Sequence, residues 1–255
     1  MTILNLYVDE ARALIGVDTL AYSSADASVL RHADGKPHEI EKAVVLNRAR
    51  CVLAASGKTA LLHYLHAQGS RIDSMDAALI ELPRLLSGAR HFVPLTGPSR
   101  GAYPRDRVII AGWSEAKDRV IAAVYESRNG FEDFNTTIFE RGGQGHFGPG
   151  VSLVGHPMPD TVERMVELAH RQCAEYRAEN PAAPFGGRLV VLEVDRDAIT
   201  VRNLADLGMP AKPVPVGAEA GEMMQIDVGA ATDVLSDKVT GASADLTAGA
   251  PADVT

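Results

Sequence analysis

Short apolar segments of strand type come in closely spaced pairs, and this pairing constrains the fold more than any other feature of the sequence. The pairs are 3–8 with 12–18, 42–48 with 51–55, 108–113 with 120–125, and 189–194 with 198–201. A few turn-forming residues separate the members of each pair, which is typical of a β-hairpin. Hairpins favour antiparallel sheets, because parallel neighbours need a long crossover connection.

Three further segments carry apolar residues at helical spacing. They are 58–68, 73–86, where Pro83 is expected to introduce a kink, and 160–176, which Asp160 is expected to cap. The segments 19–41, 93–105 and 142–150 are rich in turn-forming residues and are predicted to be loops. The order of hairpins and helices predicts an α+β fold, in which two antiparallel sheets lie between helices as a four-layer α-β-β-α sandwich.

Composition narrows the range of functions. The 255 residues carry a net charge of −8 and only 5% aromatic side chains, which disfavours a nucleic-acid partner because phosphate binding needs concentrated positive charge. No apolar run reaches the roughly 18 residues of a membrane span, and no secretion signal is recognised. Cys51 and Cys173 have no partner at a metal-binding spacing. We therefore expect a cytoplasmic protein that contacts no membrane and contains two buried thiols.

The composition changes near residue 229. From there the chain consists largely of Ala, Gly, Ser, Thr and Asp, and residues 241–255 are of low complexity. Such a segment cannot bury enough apolar surface to offset the entropy lost on folding. We therefore predict one domain over residues 1–228 and a disordered tail over 229–255.

Three stretches match known phosphate-, dinucleotide- and zinc-binding motifs only in part. Ser56-Gly57-Lys58-Thr59 resembles the end of a phosphate-binding loop, but the glycine that the full motif requires is Val52. Residues 143–148 match a dinucleotide fingerprint, but Pro149-Gly150 follows where a helix should run, so we interpret them as a flexible loop. His63 and His66 lack a third ligand nearby, which is weak support for zinc. We expect neither a metal nor a cofactor, and nucleotide binding stays a remote third hypothesis.

Thr2 suggests a different chemistry. If Met1 is removed, Thr2 presents a hydroxyl nucleophile and its own α-amine, whose reference pKa of about 7.7–8.0 suits a general base near neutral pH. Lys42 could lower the pKa of the hydroxyl, and Asp18 could hold Lys42 in place. Backbone N–H groups around Gly57, at a strand-to-helix turn, could stabilise an oxyanion. Each residue also has an ordinary structural explanation when considered alone.

The spacing of these residues resembles that of the proteasome-like N-terminal-nucleophile (Ntn) hydrolases, which include proteasome β-subunits and bacterial proteasome-like peptidases. In that family an aspartate follows the nucleophilic threonine by sixteen residues, as Asp18 follows Thr2. The family lysine opens a strand of the form Lys-Val-x-x-Leu/Ile-Asn, which Lys42-Ala43-Val44-Val45-Leu46-Asn47 resembles.

Weaker similarities extend to about residue 203. The strand, turn and helix over 51–65 follow the family order, 109–113 resembles its central glycine-containing strand, and Gly186-Gly187 resembles its Gly-Gly before the last hairpin. The most specific motifs all lie within the first 65 residues.

The sequence also departs from the family pattern. The interval between Asp18 and Lys42 is longer, which predicts an extended loop over 24–40 near the site, and Lys36 is a competing lysine without the following strand. The family's accessory acid and two accessory serines correspond to Ala182, Phe185 and His156.

The resemblance implies amide or peptide hydrolysis through an acyl-enzyme on Thr2. Its α-amine would be the base, Lys42 the cation, Asp18 the lysine anchor and Gly57 the oxyanion donor. It also implies a homo-oligomer, arranged in rings, that acts on a peptide or small amide substrate. The absent accessory residues keep an alternative open, namely a catalytically decayed Ntn-fold subunit with a structural or phage-like accessory role.

Overall fold

The structure is a computed structural model in which part of the chain is described. The described residues are 2–22, 29–92, 106–127, 129–147, 158–179 and 186–209, without the side chains of 146, 147 and 179. All of them lie within one compact unit, Met1–Pro213. The domain boundary predicted at 228 and the tail predicted over 229–255 lie outside the described residues.

The described chain forms two antiparallel five-stranded sheets and three helices. The first sheet has the order β10-β9-β2-β1-β8, with β1 Leu4–Val8, β2 Arg12–Asp18, β8 Gly143–Phe147, β9 Gly187–Asp195 and β10 Ile199–Gly208. The second has the order β3-β4-β5-β6-β7, with β3 Ala43–Leu46, β4 Cys51–Ser56, β5 Asp106–Ser114, β6 Arg119–Ser127 and β7 Phe134–Phe139. The predicted α+β class and the four predicted hairpins are confirmed, and strands outnumber helices.

Three clusters of buried side chains hold these elements together. One lies between the sheets and joins β1, β2 and β9 to β4, β5 and β6. A second joins the helices α1 (Thr59–Gly69) and α2 (Met75–Ala89) to β3, β4, β5 and β6. The third joins α3 (Val162–Glu179) to β1, β2, β9 and β10. Both sheets therefore bury apolar side chains, against each other and against the helices, and this burial is the main source of their stability.

Two strands differ from the sequence predictions. The segment interpreted as a flexible glycine-rich loop contains β8, which pairs antiparallel with β1 along its whole length, from Leu4 opposite Phe147 to Val8 opposite Gly143. β7 was not predicted, and it pairs with β6 at the margin of the second sheet. Neither segment shows apolar alternation in the sequence. β8 consists largely of glycine and polar residues, and most residues of β7 are exposed.

The helix ends also differ from the predictions. α2 continues through Pro83 and ends at Ala89, beyond the predicted limit. α3 is capped by Thr161, whose Oγ1 accepts a hydrogen bond from Arg164 N at 3.2 Å, whereas the carboxylate of Asp160 accepts from the Arg164 side chain. The hydroxyl one residue later therefore replaces the predicted aspartate cap.

A reciprocal amide pair connects β1 to α3 inside the protein. Asn5 Nδ2 donates to Gln172 Oε1 at 2.7 Å, and Gln172 Nε2 donates to Asn5 Oδ1 at 3.0 Å. Both side chains are buried, at 0% and 1% exposure. Burial of two amides is tolerated because each satisfies the other.

No helix among the described residues is long and apolar enough to cross a membrane.

Candidate active site

The residues predicted from the sequence converge at one end of the two sheets. Thr2 lies just before β1, and Asp18 ends β2, the antiparallel neighbour of β1. Lys42 lies just before β3, and Gly57 follows the last residue of β4. Ala55 N donates to Lys42 O at 2.9 Å, so the end of β4 is paired with the backbone of Lys42. Antiparallel pairing therefore places the beginning of one strand beside the end of the next.

Asp18 and Lys42 form a buried ion pair. Lys42 Nζ lies 2.9 Å from Asp18 Oδ1, and the side chains are 6% and 0% exposed. Asp18 Oδ1 also accepts from Ile3 N at 2.9 Å, and Asp18 Oδ2 accepts from Gly186 N at 3.1 Å. Both carboxylate oxygens therefore accept a backbone N–H, Oδ1 in addition to Lys42 and Oδ2 alone, which supplies the further hydrogen bonds that a buried ion pair requires.

Burial changes the acidity of Lys42. Loss of water around the ammonium lowers the pKa of Lys42 below its ordinary value of 10.5, and the charge and hydrogen bond of Asp18 oppose this shift without cancelling it. A lysine in this state can supply positive charge to a neighbouring oxygen and can lose its proton at a lower pH than a surface lysine.

Thr2 is held beside this ion pair. Its neighbour Ile3 is bonded to Asp18 twice, through Ile3 N to the carboxylate at 2.9 Å and through Asp18 N to Ile3 O at 3.3 Å. The Thr2 side chain, 6% exposed, interacts by a hydrogen bond with the phenol of Tyr22. The structure therefore brings Thr2, Asp18 and Lys42 together, as the spacing predicts.

Gly57 adopts a conformation that requires glycine. Its φ is +118°, and a Cβ atom at this position would lie 2.3 Å from Asp106 Oδ1. The turn between β4 and α1 therefore presses directly against the carboxyl group at the start of β5. Lys58, at the N-terminal end of α1, makes no side-chain capping hydrogen bond.

Sequence reasoning missed Tyr22 and Asp106 at this end of the sheets. Lys42 Nζ lies 5.9 Å from the centroid of the Tyr22 ring. Asp106 is fully buried, and the pKa of Tyr22 is raised mainly by burial and further by the charges of Asp18 and Asp106. The only signal for Tyr22 is its place four residues after Asp18, and Asp106 directly follows a Gly- and Pro-rich segment predicted to be a loop.

The segment after β2 does not form an open loop where it is described. Ala21, Leu30 and His38 are joined by three backbone hydrogen bonds, from Ala21 N to His38 O, Leu30 N to Ala21 O and His38 N to Leu30 O, at 2.8–3.1 Å. Tyr22 forms an isolated bridge with Val29. The described residues between Asp18 and Lys42 are therefore paired with one another through their backbones.

The other sequence motifs do not converge here. His63 and His66 are exposed on α1, and no group of three metal-binding side chains occurs among the described residues. Residues 143–147 of the dinucleotide-like stretch belong to an antiparallel sheet and not to a strand-to-helix turn. Cys51 and Cys173 are buried, as predicted, and burial raises the pKa of each thiol. Ala182, Phe185 and His156 lie outside the described residues.

Comparisons with known proteins add no relative. A scan against protein-family models and a search of curated proteins both give no match for this chain.

Proposed function

We propose that this chain is a proteasome-like threonine hydrolase that cleaves amide bonds through Thr2 after removal of Met1. One observation carries the proposal. The buried pair of Lys42 and Asp18, 2.9 Å apart, is bonded to the residue next to Thr2. A buried charge is costly, so a cation kept beside a candidate nucleophile suggests a chemical role. The three core clusters are compatible with the four-layer α-β-β-α arrangement of Ntn hydrolases, which we propose for the fold.

The reaction can be written from these residues. The Thr2 Oγ forms a bond to the substrate carbonyl carbon, and its proton passes to the α-amine of Thr2. The Gly57 N–H would stabilise the oxyanion, and the Lys42 ammonium would favour the developing alkoxide. When the C–N bond breaks, the α-ammonium returns the proton to the leaving amine. Water then hydrolyses the acyl ester by the same route, regenerating the hydroxyl.

Removal of Met1 is the first test. Intact mass and N-terminal sequencing of the purified protein should show Thr2 as the first residue, because the proposed base is its free α-amine. Retention of Met1 on the whole population would exclude this mechanism. Ring assembly stays a prediction of the resemblance alone.

Covalent labelling tests the site itself. An electrophilic proteasome inhibitor should add one adduct per chain on Thr2, and Thr2→Ala should abolish the adduct while the exposed Thr136→Ala retains it. Lys42→Met should slow labelling by about 100-fold or more, as expected when an electrostatic contribution to the transition state is lost. Lys36→Met is the matched control, because Lys36 is the competing lysine and its side chain is 79% exposed.

The same experiment separates the two functional hypotheses. If Met1 is removed and the wild-type protein is nevertheless not labelled, the decayed subunit with a structural or phage-like accessory role becomes the better explanation.

A further inference from the structure

Tyr22 lies next to two of the residues that the proposed mechanism uses. Its hydroxyl interacts with the side chain of Thr2, and its ring faces Lys42 Nζ at 5.9 Å from the centroid. Neither the spacing of the motifs nor the family resemblance singled out this residue. A single side chain thus spans the candidate nucleophile and the candidate cation.

The backbone around Tyr22 is fixed on both sides. Leu20 N donates to Gly186 O at 3.2 Å, and Gly186 N in turn donates to Asp18. Ala21 N donates to His38 O at 2.9 Å, and Tyr22 bridges to Val29. Tyr22 is therefore placed by backbone pairing on both sides, and one of its partners, Gly186, also donates to Asp18.

We propose that Tyr22 is a positioning residue of this site, whose hydroxyl orients the Thr2 hydroxyl and whose ring face holds the Lys42 ammonium. The role in hydrolysis rests on the proposed function, whereas the two contacts can be tested without it. The inference also supplies a hydroxyl next to Thr2 in a chain whose sequence lacks the accessory serines of the family.

The ring acts on Lys42 through its negative face. A cation within about 6 Å of an aromatic centroid is attracted by the ring quadrupole, and the attraction strengthens when water is excluded. Lys42 is 6% exposed, and Asp18 Oδ1 binds its ammonium at 2.9 Å. The ring and the carboxylate therefore both favour the charged form, against the effect of burial.

The hydroxyl is suited to orienting and not to accepting a proton. Burial, which dominates, and the charges of Asp18 and Asp106 raise the pKa of Tyr22 to about 12, although the hydrogen bond with Thr2 lowers it. The phenol therefore stays neutral where the α-amine of Thr2 acts as a base. A neutral phenol can orient the Thr2 hydroxyl by a hydrogen bond without taking its proton, which passes to the α-amine when Thr2 attacks.

Two substitutions separate the hydroxyl from the ring. Tyr22→Phe removes only the hydroxyl, and Tyr22→Leu removes both while keeping an apolar side chain next to Lys42. Tyr7→Phe is the matched control, because the Tyr7 hydroxyl donates to Asp9 at the turn of the β1–β2 hairpin, away from the site. Urea unfolding establishes that each variant is folded, and Tyr22→Met replaces Tyr22→Leu if the latter is not.

Two measurements are made on each variant. The pH dependence of Thr2 labelling by a small β-lactone gives reactivity. NMR of lysine labelled with ¹³C and ¹⁵N at the side-chain terminus gives the pKa of Lys42, and three-bond couplings of the Thr2 methyl group give its side-chain rotamer. The NMR measurements are independent of activity.

We expect Tyr22→Phe to slow labelling about tenfold, the equivalent of one ordinary hydrogen bond, and to average the Thr2 rotamer while the pKa of Lys42 stays unchanged. Tyr22→Leu should add a fall of about 0.5–1 unit in the pKa of Lys42, because the charged form loses the ring. Tyr7→Phe should change neither.

An unchanged Thr2 rotamer in Tyr22→Phe would overturn the role of the hydroxyl. An unchanged pKa of Lys42 in Tyr22→Leu, or an equal fall in Tyr22→Phe, would overturn the role of the ring. Absence of labelling in the wild-type protein would contradict the proposed function, and the NMR results would still decide both contacts of Tyr22.

Discussion

The turn end of the β1–β2 hairpin carries an exposed version of the arrangement found at its open end. At the turn, Asp9 Oδ1 accepts from Ala11 N at 2.8 Å and from Arg12 N at 2.9 Å. The Arg12 guanidinium lies 4.0 Å from Asp9, and the Tyr7 hydroxyl donates to Asp9 Oδ2 at 3.0 Å. One carboxylate therefore meets two backbone N–H groups, a cation and a tyrosine.

The open end has the same parts in a different environment. Asp18 accepts from two backbone N–H groups and binds Lys42, with Tyr22 beside the lysine. The paired side chains are 6% and 0% exposed here, against 37% each for Arg12 and Asp9 at the turn. Water screens the turn pair, so its charges do little beyond closing the turn. At the open end burial makes the ion pair of Asp18 and Lys42 costly to break, and it lowers the pKa of Lys42.

Removal of the carboxylate charge should give the largest contrast between the two ends. Asp18→Asn should lower the free energy of unfolding by about 3–5 kcal/mol, because it leaves Lys42 buried without its counter-charge. Asp9→Asn should cost only about 0.5–1.5 kcal/mol, the worth of partly exposed hydrogen bonds. Urea unfolding at pH 7 measures both, and equal costs would contradict a difference based on burial.

The glycine next to the site offers the next contrast. Gly57→Ala should cost about 2–4 kcal/mol, because the new methyl group meets the Asp106 carboxyl and the backbone conformation disfavours any side chain. Gly35→Ala is the matched control, since Gly35 has a φ of +80° but no atom within 4 Å of the added Cβ. It should cost about 1 kcal/mol, from backbone strain alone. The difference in unfolding free energy isolates the contact with Asp106.

The smallest effect should appear in the pH dependence of stability. The folded protein lowers the pKa of Lys42, so between that pKa and 10.5 the unfolded chain binds more protons than the folded one. Wild-type stability should therefore rise with pH relative to Lys42→Met, with a slope of up to about 1.4 kcal/mol per pH unit. The corresponding difference for Arg12→Met should be flat, because arginine does not titrate in this range. A flat difference for Lys42→Met would mean that the pKa of Lys42 is not lowered.

The sequence predicted the hairpins and the site residues that a local pattern or a fixed spacing indicates. Alternation of apolar residues located the four hairpins, and the interval from Thr2 to Asp18 to the Lys42 strand identified three residues that the structure places together. The strands that it missed, β7 and β8, show no apolar alternation in the sequence, and each is paired along its length with a neighbouring strand.

The rest of the site depends on contacts that one sequence does not encode locally. Tyr22 reaches Thr2 and Lys42 only because residues 20–22 are paired with the backbone of Gly186 and His38. Asp106 reaches Gly57 only because β5 pairs with β4, which brings Arg107 opposite Ser56. Both placements result from tertiary contacts, and the pattern of residues near Tyr22 and Asp106 in the sequence does not indicate them.

The amide pair of Asn5 and Gln172 has a consequence for the precision of the N-terminus. Apolar contacts between a helix and a sheet are non-directional, so α3 could slide along β1 at little cost if only such contacts joined them. Two reciprocal hydrogen bonds of 2.7 and 3.0 Å allow one setting, and any slip would leave two buried amides unsatisfied. Asn5 lies in β1, three residues after Thr2, which lies just before that strand. The pair therefore fixes the position of β1 along α3, and with it the position of the residues just before β1.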